Sequence, residues 1–282
     1  SNTPVRGVDV GSLVIGLGSG MPQIVNDESI IPALRKSGFS HEDAMDYVLV
    51  GCVELSTQGN SLGWSDAAMF NMLKVLELTL NNGKCMLSGK QLGPGTGFLP
   101  SFNEFDDLEN AFKKQMDFFI ARMIKACESV EKKHREHLPT PFLSSVIDDC
   151  LTNGIDVTAG GARYNMSGIQ AIQVANIADS MAVLKKLVYD DKIVSAESFF
   201  EALITDFKGF EPLRQKCINH VSKYGNDISR VDDMGAKWVR YFAEELKKYK
   251  NYRGGDFQIG LYTVSAHIPM GQNVAATPDG RF

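Results

Sequence analysis

The sequence predicts an α/β fold. Three observations carry that reading. A long amphipathic stretch begins at Asp106 or Asp107 and is stopped by Pro139; several more helix-length stretches fill the second half of the chain; and short β-branched runs, Val48-Leu49-Val50 and Phe257 to Ala266, stand where helix gives way to loop. Helices outnumber strands, and the strands are placed to carry loops between them.

Taken in order, residues 1–39 are rich in Gly, Ser and Pro and read as irregular loops around short apolar runs. Ser40 then caps a short helix, with Asp43 in the capping-box position, running into a strand at Val48–Val50. The run halts at Gly51-Cys52-Val53-Glu54, before a polar loop to Gly63. Ser65 or Asp66 opens a helix to Asn81-Asn82-Gly83, whose polar residues Asn71, Lys74, Glu77 and Asn81 form one narrow stripe, so the helix is expected to be mostly buried. Residues 90–100 form a Gly/Pro loop. In the long helix that follows, Leu108, Phe112, Met116, Phe119, Met123, Cys127 and Val130 make one continuous face. Further helices are expected over 143–152, 168–189, 196–207, 212–222 and 229–250, with Ser195 and Ser229 as N-caps. Phe257 to Ala266 is the best late strand, followed by a tail with a Pro-Asp-Gly turn.

Composition limits the function classes. Of 282 residues 44% are hydrophobic and 22% charged, ordinary for a globular chain, so neither disorder nor a disulfide scaffold fits. With 29 basic and 34 acidic residues the net charge is -5, which leaves no electrostatic footprint for nucleic acid or an anionic membrane. No apolar run is long enough to span a bilayer, and no signal peptide precedes the first residues. The 5 cysteines are widely spaced without a C-x-x-C, a reducing-compartment pattern that points to the cytoplasm and supplies no zinc or iron–sulfur ligand set.

Several motifs have a bland reading beside a chemical one. Gly16-Leu17-Gly18-Ser19-Gly20 lacks the helix that a dinucleotide site needs after its glycines, and reads as a loop. His134-x-x-His137 lies among Lys, Arg and Glu without a third ligand nearby, as in a solvated helix end. Gly160-Gly161-Ala162-Arg163-Tyr164-Asn165 serves either close ligand approach or backbone geometry. Cys52 and Glu54 stand two positions apart; in one extended segment they face the same way, so a small molecule resting against both would meet a thiol and a carboxylate together. Their bland reading is a buried structural Cys beside a surface Glu.

The surroundings decide between these. Asn26-Asp27-Glu28, Ile31-Pro32-Ala33-Leu34, Asp46-Tyr47 and Val50-Gly51-Cys52-Val53-Glu54 together resemble the segment around the active-site cysteine of glycyl radical enzymes, the pyruvate formate-lyase-like superfamily. The resemblance continues collinearly through Leu76-Glu77-Leu78, Asn81-Asn82-Gly83, the 160–165 block, Gly168-x-Gln170, Ala175-Asn176-Ile177-Ala178-Asp179-Ser180, Tyr224-Gly225-Asn226-Asp227, Arg253-Gly254-Gly255, Ser265-x-His267, Gly271 and Ala276-Thr277-Pro278-Asp279-Gly280-Arg281.

The resemblance implies the second half of a ten-stranded α/β barrel, with residues 1–282 as a partial catalytic domain. With no ligand set and no phosphate loop in the sequence, no bound metal, flavin or nicotinamide is expected; the resemblance implies a glycyl radical on a residue absent from this chain, installed by a radical-SAM activase, in a homodimer acting on a small-molecule substrate. A setting inside a bacterial microcompartment is compatible with it. Cys52 falls on the cysteine that becomes a thiyl radical. Glu54 falls on the general base of the members that eliminate water or another β-substituent from small hydroxylated substrates. Trp64, Ser65 and Met69, after Glu54, and Tyr262 are candidate pocket-shaping positions, with core packing as the alternative reading of each. Pyruvate formate-lyase itself uses two adjacent cysteines, and Gly51 and Val53 disfavour that route here. Many eliminating members carry Pro after the glutamate, where this chain has Leu55. Arylacetate decarboxylases of the superfamily share the Cys-x-Glu spacing and stand as the alternative; a non-catalytic packing module is a third reading.

Overall fold

A computed structural model describes residues 13–15, 22–24, 26–50, 54–261 and 267–281. In chain order the elements are strands β1 (Leu13–Ile15) and β2 (Pro22–Ile24), helices α1 (Asp27–Lys36) and α2 (His41–Met45), and strands β3 (Tyr47–Val50), β4 (Glu54–Thr57) and β5 (Trp64–Asn71). Helices α3 (Met72–Leu80), α4 (Phe105–His137), α5 (Pro141–Ser144) and α6 (Cys150–Asn153) follow, then strand β6 (Ser167–Ile172) and helices α7 (Val174–Leu184), α8 (Ala196–Ile204), α9 (Glu211–Asn219) and α10 (Ser229–Leu246). Strand β7 (Phe257–Gly260) and the short α11 (His267–Gly271) close the series. β1 pairs with β2 and β3 with β4, both antiparallel, and β5, β6 and β7 form a sheet in that order. The chain is α/β, as expected.

The chain divides into two compact units, the first made of Ser1–Ala67, Cys127–Gly168 and Lys250–Gln258, the second of Ala68–Ala126, Ile169–Tyr249 and Ile259–Phe282. In the first unit, α1 replaces the expected loop. Asn26 caps it by accepting the Glu28 N–H, Asp27 and Glu28 sit at its positive end, and Arg35 and Lys36 at its negative end. Pro32 lies inside this helix, the feature that made the segment look irregular. Leu34 packs with Phe39, Ala44 and Met166, joined by Ile30, Ile31, Tyr47, Leu55 and Tyr164. Ser40 caps α2 as expected, accepting the Asp43 N–H at 2.9 Å.

In the second unit the helix expected from Ser65 begins only at Met72, because Trp64–Asn71 is strand β5. Asn71 is its cap, accepting the Lys74 N–H at 3.0 Å, and all but one of its residues are buried. The start of the expected 168–189 helix is likewise strand β6. In both places sheet pairing overrode an apolar stretch whose periodicity fits either state. The long helix α4 buries Leu108, Phe112, Met116, Ile120, Ile124, Cys127 and Glu131, a stripe advancing mainly by fours, while Val130 is exposed. Trp238 of α10 is fully buried and meets Phe112 edge-on at 4.6 Å. Ser195 caps α8, but α10 is capped differently: Ser229 is its first helical residue, and Asp232 turns back to accept the Gly225 and Ile228 N–H groups.

Candidate active site

The site is built on the β3–β4 hairpin of the first unit. Its register pairs Tyr47 with Thr57, Val48 with Ser56, Leu49 with Leu55 and Val50 with Glu54. Residues 47–50 and 54–57 are therefore two antiparallel strands, and the facing expected of Cys52 toward Glu54 falls on a residue outside those described. Glu54 opens β4 and is 8% exposed. Leu55, standing where many eliminating members carry proline, packs into the Leu34–Phe39–Ala44–Met166 core.

Asp43 fastens the hairpin from below. Its carboxylate accepts the Tyr164 hydroxyl at 2.6 Å, the Ser40 hydroxyl at 2.7 Å and the Asn60 amide at 2.7 Å, with Arg163 at 3.7 Å. The Tyr164 hydroxyl bond, then that of Ser40, holds the Asp43 carboxyl below the ordinary range. Asn60 also accepts the Thr57 hydroxyl, and the backbone of 60–64 runs along 164–166 through the Leu62 N–H to Tyr164 carbonyl and Trp64 N–H to Met166 carbonyl bonds. The Gly-Gly-Ala-Arg-Tyr-Asn block thus works as backbone geometry and bracing: a Cβ on Gly161 would lie 2.0 Å from the Ile155 carbonyl oxygen.

Two carboxylates interact at the hairpin. Asp66 on β5 is solvent-exposed as a residue, but partial burial of its carboxyl, then the charge of Glu54, raises it above the ordinary value. Trp64 lines a cavity of about 210 Å³ with Leu62, Gly63, Glu131, His134, Leu143 and Arg253 among its walls, and neither Glu54 nor Asp66 lines it. The His134 ring lies 5.7 Å from that of Trp64, so this histidine is half-buried against an aromatic wall, not a solvated helix end as expected. Two of the lining residues, Arg253 and Glu131, form an ion pair at 3.5 Å with side chains 3% and 2% exposed. Arg253 donates to the Leu62 and Met166 carbonyls at 2.8 Å each, and Glu131 accepts the Ser167 hydroxyl at 2.6 Å and the Tyr252 N–H at 2.8 Å. Burial pushes the Arg253 guanidinium down, partly offset by Glu131.

Glu54, Trp64 and Ser65 lie in the first unit and Met69 in the second; Cys52 and Tyr262 lie outside the described residues, as does the Gly16–Gly20 run. Trp64 lines the cavity, whereas the Ser65 hydroxyl donates back to the Gly63 carbonyl at 3.2 Å. Met69 is exposed. Asp43, Asp66, Glu131 and Arg253 were not singled out from the sequence as site residues. Arg253 carried a signal in the Arg-Gly-Gly string, and Asp43 one as the capping-box residue after Ser40. In the second unit the other shared blocks bond to one another: Asn176 donates to Asp279 at 2.9 Å, and the Tyr224 N–H donates to Asp179 at 2.7 Å. Among the described residues no group of three or more His, Cys, Asp or Glu is arranged to hold a metal.

The family model described as pyruvate formate lyase-like matches residues 3–271. The chain belongs to this family. It is 36% identical over 95% of its length to (2S)-3-sulfopropanediol dehydratase of Klebsiella oxytoca, of which it spans 32%. The glycerol-bound B12-independent glycerol dehydratase of Clostridium butyricum superposes with a TM-score of 0.89 at 41% identity, covering 95% of this chain and 33% of that one. A glycyl radical enzyme of Archaeoglobus fulgidus gives 0.84 at 33% identity over 90% of this chain and 32% of its own. Indoleacetate decarboxylase of Tractidigestivibacter scatoligenes is more distant, 27% identical over 94% of this chain and 33% of its own. The chain thus spans about a third of the length of the relatives it matches, and those relatives are glycyl radical dehydratases and lyases.

Proposed function

We propose that the intact protein to which this chain belongs is a glycyl radical lyase that eliminates water or another β-substituent from a small hydroxylated substrate. The observation that carries this reading is Glu54, a carboxylate only 8% exposed, two positions after Cys52, within a chain collinear with dehydratases. The family's glycyl radical, on a residue outside this chain and installed by a radical-SAM activase, supplies the unpaired electron. Cys52 exchanges a hydrogen atom with the substrate carbon that bears a hydroxyl, since S–H and such C–H bonds are of comparable strength. Glu54 takes the proton of that hydroxyl and returns one to the departing group. Trp64, Ser65, Met69 and Tyr262 shape the pocket in this reading, Trp64 by the wall it shares with His134. Residues 1–282 would form the second half of the ten-stranded barrel, in a cytoplasmic homodimer. The decarboxylase alternative draws less support, its relative standing at 27% identity against 36% for the dehydratase.

Substitution in the intact enzyme tests the assignment. Cys52→Ser abolishes turnover while the glycyl radical signal in electron paramagnetic resonance persists, because a hydroxyl O–H bond is too strong to replace S–H. Turnover by this variant would refute the role given to Cys52.

A further inference from the structure

The cavity of about 210 Å³ is lined by residues of the first unit alone, and neither Glu54 nor Asp66 is on its walls, so the elimination chemistry leaves it unassigned. Its polar lining has hydrogen-bonding capacity left over. Arg253, with a side chain 3% exposed, carries five N–H groups. Nη1 donates to the Leu62 carbonyl at 2.8 Å, and Nη2 meets the Met166 carbonyl at 2.8 Å, the Ser167 hydroxyl at 3.1 Å and Glu131 at 3.5 Å. The Nε–H has no acceptor among the described residues. The His134 ring nitrogens on the same cavity also have no hydrogen-bond partner among them. A third lining group, the Thr140 hydroxyl, is buried without a partner, a state that a bound molecule or water relieves. Glu131 has nothing to spare: Oε1 takes the Ser167 hydroxyl and Arg253, and Oε2 takes the Tyr252 N–H.

We propose that this cavity binds a small uncharged carbonyl compound. The Arg253 Nε–H donates to its carbonyl oxygen, a His134 N–H is the second donor, and Leu62, Trp64, Leu143 and Val157 enclose its apolar body. Three properties of the lining select that class. Arg253 only donates, so the ligand must bring an acceptor, while both Glu131 oxygens are already taken and offer nothing to a ligand's own donor. The Arg253 charge is already balanced by Glu131, so a carboxylate would carry an uncompensated charge against a nearly dry wall, which is costly. The volume lies below the roughly 300 Å³ at which drug-sized pockets begin, which limits the ligand to a few carbon atoms. Elimination next to a hydroxyl that has lost its proton leaves a carbonyl, so the product of the proposed reaction belongs to this class, although the site does not rest on that reading.

The test is titration of the nitrogen-15-labelled 282-residue chain with 2-pentanone and, separately, with the pentanoate anion, reading the arginine Nε–H signals by NMR. The Arg253 signal should shift and saturate with 2-pentanone, and should stay in place at the same concentrations of pentanoate. Leu143→Trp, at a position on the cavity wall that is 39% exposed and so tolerates a larger side chain, should fill the space and abolish the shift while the other arginine signals remain where they were. A shift that never saturates, or one that survives Leu143→Trp, would overturn the site. Pentanoate binding as tightly as 2-pentanone would overturn the ligand class. Because no turnover is read, failure here would leave the elimination reading standing, and loss of that reading would leave this site standing.

Discussion

Val50 and Glu54 are strand partners across the antiparallel β3–β4 hairpin, so Glu54 is held by a backbone ladder and not by a loop. What fixes the carboxylate is thus the hairpin and whatever fixes the hairpin: the Asp43 network beneath it and the Leu55 side chain in the core. Predictions about the site follow from those supports.

Tyr164→Phe removes the hydroxyl that donates to Asp43 and accepts the Ser40 N–H. It should cost about 1–3 kcal/mol in denaturant unfolding at neutral pH, the range for a partner left unsatisfied. Asp43 is depressed below 3.8 in the folded chain, so its contribution is full above that value and lost as the pH falls through the folded pKa. The stability gap between wild type and variant should therefore narrow in acid. A gap that stays constant below pH 3.8 would show that Asp43 is not the group involved.

Arg253→Met leaves Glu131 buried without its cation, at 2% exposure. A loss of about 3–5 kcal/mol is expected, as for other broken buried pairs. Arg253→Met combined with Glu131→Leu should recover part of it, because the orphaned charge is then gone. A double variant weaker than the sum of both singles would mean that the hydrogen bonds to Leu62 and Met166, and not the charge pair, dominate.

Gly161→Ala places a Cβ 2.0 Å from the Ile155 carbonyl oxygen, whereas Gly271→Ala meets nothing within 4 Å. The first should lose about 1–3 kcal/mol to overpacking, and the second should stay within about 0.5 kcal/mol of wild type. Equal thermal stability of the two variants would remove the backbone-geometry reading of the glycine pair.

Much of this was legible in the sequence, for identifiable reasons. Ser40, Ser195 and the polar stripe on α3 carried their own capping and burial signals. Collinear motifs gave the family. What was not legible came from pairing at a distance. Trp64–Asn71 has helix-compatible composition and became strand by joining the β6 and β7 sheet. Pro32 hid α1. Asp66 and Glu131 entered the site only through folding, since nothing local in their strings sets them apart from ordinary surface acids.

Asp66 provides a check on the electrostatics of Glu54 without turnover. Because the Glu54 charge helps to raise Asp66, Glu54→Gln should bring the Asp66 carboxyl back toward its ordinary value of 3.8. Carbon-13 NMR titration of the carboxyl would read this. An unchanged Asp66 would mean that burial alone raises it and that the two carboxylates are uncoupled.

The central claim is that Glu54 moves the proton in an elimination begun at Cys52. The most direct measurement is turnover of the intact enzyme carrying Glu54→Gln, with hydrogen exchange into the substrate carbon followed in parallel. Gln keeps the shape of Glu54 but cannot take a proton. The rate should fall by about 100-fold or more, the usual scale for a lost general base, while exchange at the carbon persists because Cys52 is intact. Turnover at the wild-type rate would contradict the claim and leave the Cys-x-Glu spacing a structural feature of the hairpin.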